Sequence, residues 1–163
     1  MALDRNVLYT AGGMGLLLTG SKLAALSMFS KGVWGLEKKW RQKHPDVASG
    51  LEARWSEAIR FYDATHQNAM NRKLHRIGIP MIVGGAAGLL LSRPLRPTWG
   101  VAALAFTAGW ALNFVGHAIE KSTPAFADDP LSFLAGPVWD LQQARGQRPK
   151  VVPLVAEPSV TLN

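Results

Sequence analysis

Apolar residues in this chain gather in blocks instead of recurring at one even spacing. Val7 to Phe29 is mostly apolar and rich in Gly and Leu, with Lys22 as an interruption. Ile77 to Ser92 is an unbroken apolar run, and Thr98 to Ile119 is another in which only Asn113 and His117 are clearly polar. A helix needs roughly 17–25 residues to cross a bilayer. The second block reaches that length when extended back to Leu74, and the third has it already. The basic turn Arg93-Pro94-Leu95-Arg96-Pro97 joins them, so the pattern predicts an antiparallel transmembrane hairpin. Small residues, including the Gly84-x-x-x-Gly88 pair, permit close helix packing, although that spacing is common. The first block reads as a retained membrane or membrane-surface helix. Asp4 and Arg5 nearly cancel at its start and no small-residue cleavage site follows, which is unlike a signal peptide. Gly12, Gly13 and Gly15 would let a neighbouring helix approach it.

The segments between the blocks are amphipathic or basic. Lys31 to Asp46 combines Trp34 and Trp40 with Lys38, Lys39, Arg41 and Lys43, a composition typical of the membrane–water boundary. Leu51, Trp55, Ile59 and Tyr62 recur at helical spacing, which predicts a helix over Leu51 to Thr65. Ser122 to Pro130 has two prolines and two aspartates and reads as a loop, and Leu131 to Gln143 as a short interfacial helix anchored by Trp139. From Arg145 onward the composition predicts a disordered tail. The expected fold class is therefore all-α: an integral-membrane helical bundle with an antiparallel transmembrane hairpin and interfacial amphipathic helices. Residues 1–144 would form one domain with a motif-bearing core at 61–141, and 145–163 a tail.

Charge and composition narrow the function. The 163 residues carry 18 Lys+Arg against 11 Asp+Glu, a net charge of +7, and the basic residues lie beside apolar spans. That placement suits anionic lipid better than nucleic acid. Ten Lys or Arg lie between Lys31 and Arg76, whereas the hairpin turn has only Arg93 and Arg96, so the first side is expected to face the cytoplasm. The absence of cysteine excludes disulfides, thiolate metal sites, iron–sulfur clusters and a cysteine nucleophile. No phosphate loop, dinucleotide fingerprint or nucleophile elbow is present.

The histidines supply the candidate chemistry. A hairpin returns the chain to the side where it entered, so His75 before its first span and His117 at the end of its second share one face. His66 precedes them, and Glu120 lies three residues after His117 on the same helix face. His66 and His75 are nine residues apart, roughly 180° around one straight helix, so the chain must break between them to aim both at one point. Asn71 is the expected cap of the second helix, which would put His75 in a first turn where the dipole favours neutral imidazole. Neutral imidazoles with a carboxylate suit Fe(II), Zn(II) or Mn(II), and two or three His with one carboxylate is an arrangement of non-haem iron oxygenases. His44, before Pro45 in a polar stretch, stands apart. Each residue also has a plainer reading: Glu120 as a solvated acid beside Lys121, and Lys38, Lys39, Arg72, Lys73 and Arg76 as lipid-headgroup contacts. A haem protein with two of these histidines as axial ligands, or a membrane scaffold without metal, are the competing functions.

The residues also carry a resemblance. Tyr62, His66, Asn71 and His75, with Phe61-Tyr62-Asp63-Ala64-Thr65-His66 before and Gly78 and Pro80 after, resemble the first motif of the membrane 2-hydroxy fatty acid dioxygenases, the Mpo-like family of fatty-acid α-oxidation. Trp110, Asn113-Phe114-Val115-Gly116-His117, Glu120-Lys121 and Pro124-Ala125 are similar to its second motif. The resemblance covers Phe61 to Leu141. Only Ala118 and Ile119 separate His117 from Glu120, where the family has three residues. The resemblance implies an Fe(II)-dependent dioxygenase that uses O2 to remove one carbon from a long-chain 2-hydroxy fatty acid. His66, His75 and His117 would bind iron, Glu120 would be a fourth ligand or support the others, and Asn71 and Tyr62 would orient them. Arg72, Lys73 or Arg76 would attract the substrate carboxylate. It leaves the oligomeric state open.

Overall fold

A computed structural model describes residues 4–146. Among these the protein is all-helical: α1 Arg5–Leu17, α2 Lys22–Lys43, α3 Leu51–Ala64, α4 Ala69–Leu91, α5 Pro97–Glu120 and α6 Ser132–Ala144, with a short 3-10 turn at Ala125–Ala127 before α6. The predicted tail from residue 147 on lies outside the described residues.

The first apolar block is two helices, not one. Gly20 takes a left-handed backbone (φ +80) that ends α1 and reverses the chain into α2. Lys22, which looked like an interruption of a single span, starts α2 and donates its Nζ to the carbonyls of Leu90 and Ser92 at 2.6 and 2.7 Å. It thereby satisfies carbonyls at the C-terminal end of α4, which has no helical partner for them. α1 and α2 pack through glycine: a Cβ on Gly13 would lie 2.7 Å from the Phe29 Cα, and one on Gly32 would meet the backbone of Thr10 and Asn6. Gly12 faces Met28, whereas Gly15 has no neighbour. The basic-aromatic segment continues α2 through Lys43.

α4 and α5 are both long and apolar enough to cross a membrane. Their contacts run in opposite order along the two helices: Gly85 against Ala102 and Phe106, then Gly78 against Gly109 and Asn113. The face of α4 that meets α5 holds Gly78, Gly85 and Gly88; Gly84 meets nothing, so the expected Gly84–Gly88 pair is not the packing unit. Away from this seam the helices are bare and apolar, with Val83, Leu91, Val101 and Leu104 each more than half exposed. A core helix of a water-soluble protein would have those side chains covered.

α3 and α6 close the other end. Ala58, Ile59 and Tyr62 of α3 pack with Ala135 and Trp139 of α6 and with Ile79. Trp139 is 2% exposed and donates its indole N–H to Asp63, so it is a core residue and not an interfacial anchor.

Candidate metal centre

Three short stretches converge beneath α6. α3 ends at Ala64, the chain turns through residues 65–68, and α4 begins at Ala69. This is the break that the His66–His75 spacing requires. Its cap is Asn68, whose side chain accepts from the backbone N–H of Met70 and Asn71, and not Asn71. His75 is consequently in the second turn of α4, where the argument from the helix N-terminal dipole no longer applies.

The side-chain nitrogens of His66, His75 and His117 lie within 4.8 Å of one another, and all three rings are buried. His66 Nδ1 donates to the Tyr62 carbonyl at 2.8 Å and His75 Nδ1 to the Asn71 carbonyl at 3.1 Å. A carbonyl only accepts, so in both neutral rings the proton is on Nδ1 and the Nε2 lone pair is free. Burial holds the His66 ring neutral, pushing its pKa down to about 4 against the opposing bond to Tyr62. His66 Nε2 is buried and has no protein partner. His75 Nε2 and His117 Nε2 face each other at 3.3 Å. His117 Nδ1 pairs with the Ser122 hydroxyl at 3.0 Å. A hydroxyl can donate or accept, so His117 alone can take either tautomer: it can donate from Nε2 to His75 or, with the proton on Nδ1, would present a lone pair to a cation. The three nitrogens therefore fit a borderline metal ion that takes neutral imidazoles.

Of the two roles expected for Glu120, a fourth ligand or a support for the others, its contacts fit the second. Its Oε1 accepts from the backbone N–H of Gln67 (2.6 Å) and Asn68 (3.0 Å), and its Oε2 accepts from the Asn71 amide. Both oxygens are engaged, and the carboxylate lies outside the cluster of ligand atoms. It ties the end of α5 to the start of α4 and so fixes the separation of His117 from His66 and His75. Asn71, fully buried, is tied to Glu120 and packs against Gly116, where any Cβ would collide with the Asn71 carboxamide and come within 3.2 Å of His75 Nδ1. Arg72 is also engaged, its Nε donating to the His66 carbonyl and its guanidinium lying 5.3 Å above the Trp139 ring. These contacts hold the turn that carries His66. His44 stacks on Trp40, away from the cluster.

A cavity of about 80 Å³ opens beside the three rings. Tyr62, stacked on His66 with centroids 3.8 Å apart, lines it together with Asn113 and Ser132. Tyr62 Oη, Asn113 Oδ1 and Ser132 Oγ are buried without a partner. Burial pushes the Tyr62 phenol pKa up, so it remains a donor. Ser122 and Ser132 escaped the reading of the sequence. Serine in a loop or a helical first turn is too ordinary to mark a site, and only the fold shows what it faces.

A family model described as 2-hydroxy-palmitic acid dioxygenase Mpo1-like matches residues 53–148. The chain belongs to that family. No curated protein and no solved structure matched it. The Mpo1-like match runs from within α3 through α6, a stretch that holds all three histidines, and leaves out α1 and α2.

Proposed function

We propose that this Mpo1-like protein is an Fe(II)-dependent dioxygenase of long-chain 2-hydroxy fatty acids, held in a membrane by an antiparallel α4–α5 hairpin. The observation that carries the reading is the buried His66 Nε2, an acceptor without a donor, converging with His75 and His117 beside a cavity of unpartnered hydroxyls. His66, His75 and His117 would hold the iron, and Glu120 and Asn71 are positioning residues for them. Bound iron supplies redox chemistry for O2 and a charge for the oxygens of the hydroxy acid. Tyr62 and Ser132 donate to the substrate carboxylate or 2-hydroxyl, and Asn113 accepts from the 2-hydroxyl. Burial excludes water from the reacting carbons, which strengthens these contacts. The C1–C2 bond breaks, C1 leaves as carbon dioxide, and C2 becomes the carboxyl carbon of an acid one carbon shorter. O2 is the oxidant, one of its atoms entering the new carboxyl and the other leaving as water with the two hydrogens that C2 and its neighbours give up.

The third imidazole argues against a haem, since a macrocycle between any two rings would meet the third. The bare apolar exterior of α4 and α5 suits lipid, not nucleic acid, as the surrounding partner. α3 and α6 would lie at the interface, on the cytoplasmic side by the distribution of Lys and Arg, with residues 1–144 as one domain.

The test is a product assay with purified protein in detergent, loaded with Fe(II) in air and given 2-hydroxy-palmitic acid. An iron- and oxygen-dependent acid one carbon shorter is expected by mass spectrometry. His117→Ala should lose both bound metal and product while keeping its helical circular dichroism. Full metal occupancy in that variant would overturn the ligand set.

A further inference from the structure

We propose that the acyl chain of the substrate leaves the imidazole cavity through an aromatic neck and enters a second chamber whose outer wall is the α1–α2 hairpin. The N-terminal segment beyond the family match would then set chain-length preference. The inference rests on the functional reading above and deepens it.

The second chamber has a volume of about 190 Å³ and no charged or hydroxyl-bearing residue lines it. Its walls are α1 and α2 on one side, through Met14, Ala25 and Phe29, and α4 on the other, through Ala86 and Leu90. It shares Ile82, Trp110 and Phe133 with the imidazole cavity, so these three side chains stand between the two, where the acyl chain would pass. The Trp110 and Phe133 rings meet edge to face, 6.4 Å between centroids. A single acyl chain fits this sequence of spaces: polar, hydroxyl-lined at the histidines, aromatic at the neck, and wholly apolar beyond. An apolar cavity of this kind gains nothing from water. Along α4 the path from His75 to Leu90 rises about 22 Å at 1.5 Å per residue, comparable with an extended palmitoyl chain. It ends where Lys22 holds the Leu90 carbonyl and Gly20 abuts the Pro94 ring. Ala25 and Ala86 are small residues facing the chamber, so a larger side chain at either would shorten it.

Two measurements on the full-length, iron-loaded protein test this. The first compares Ala86→Leu and Ala25→Leu with the wild type on 2-hydroxy-palmitic acid and 2-hydroxyoctanoic acid. The ratio of kcat/KM, long over short, should fall about tenfold, the effect of losing burial of about two methylenes. An unchanged ratio would overturn the proposal. The second uses a 2-hydroxy fatty acid with a diazirine at its ω end, with labelled residues mapped by mass spectrometry. Label on Met14, Leu26 or Phe29 that unlabelled 2-hydroxy-palmitic acid displaces is expected. Label confined to the outer face of α5, at Val101 or Leu104, no label, or label displaced by phospholipid but not by the hydroxy acid would overturn it. If the wild type converts neither acid, the enzymatic reading fails, and displaceable label on α1–α2 would still establish the chamber as an acyl site.

Discussion

Two buried polar clusters lie in this protein, and they are finished differently. In the first, the Arg54 guanidinium, 2% exposed, lies 3.6 Å above the Trp40 ring and donates to both carboxylate oxygens of Asp129 and of Glu37. Asp129 also accepts from the backbone N–H of Leu131. These contacts join α2, α3 and the loop leading to α6, and each charge has an opposite partner. In the second, around the three imidazoles, Tyr62 Oη, His66 Nε2, Asn113 Oδ1 and Ser132 Oγ have none. A buried polar atom without a partner costs about 1–3 kcal/mol. The fold that satisfies Arg54 so completely leaves five such atoms, Trp110 Nε1 being the fifth, around one cavity. A cost gathered there fits the proposed site, whereas the Arg54 cluster is architecture.

The largest way to break the contrast is to remove the cation from the paired cluster. Arg54→Met leaves Asp129 buried without a counter-charge and Glu37 with Arg41 alone. A loss of about 3–5 kcal/mol is expected, read as a lower thermal midpoint in detergent. The metal content of the folded fraction should not change. The acid limb should change as well. Burial would raise Glu37, but hydrogen bonds and charge from Arg54 hold its pKa below the ordinary carboxyl value of 4.5. Its contribution is therefore present above that value and lost as pH falls through the lower folded one. The variant should lack this part of the wild-type acid sensitivity. If Arg54→Met were as stable as the wild type, pairing would not distinguish the clusters.

The converse test removes an unpartnered group. Tyr62→Phe deletes a hydroxyl that bonds nothing in the protein, while the ring stays stacked on His66. The thermal midpoint should stay or rise slightly. KM for 2-hydroxy-palmitic acid should rise about tenfold or more, since a hydrogen bond to a charged group contributes about 1.5–3 kcal/mol. A loss of stability with unchanged KM would move Tyr62 from the site to the architecture.

The same contrast explains what the sequence revealed. The histidines were legible because imidazoles stand out at the ends of apolar spans, and the hairpin reading brought their positions to one end. The helices α3, α4, α5 and α6 were legible from periodicity and from the turn at Arg93 to Pro97. Lys22 was misread because its meaning lies in carbonyls 68 and 70 residues away. Glu120 shares a face with His117, which left a ligand and a support for the ligands equally open; its partners, the backbone N–H groups of Gln67 and Asn68 and the Asn71 amide, fit the second. Backbone donors do not appear in a residue pattern. Two asparagines three residues apart could each have capped α4, and only the position of the turn chose Asn68.

The smallest prediction asks whether every partnerless atom marks the site. Asp140 on α6 is 8% exposed and its Oδ2 has no partner, yet it lines none of the cavities described above. Burial raises its pKa to about 6 against the opposing charge of Arg76. A folded-state value raised above the ordinary 3.8 means that the fold favours the protonated acid. The stability penalty of ionisation is thus absent below about 3.8, grows with pH, and is complete above about 6. Asp140→Asn removes it. The gain should be on the order of 1 kcal/mol at neutral pH and above, less than the shift alone would give at about 1.4 kcal/mol per unit, because the new amide is also incompletely bonded. The gain in thermal midpoint should shrink as pH falls below 6, and KM should not move. If the variant instead loses turnover at unchanged stability, Asp140 belongs with Tyr62 and Ser132, and the site reaches a turn further along α6 than its cavity does.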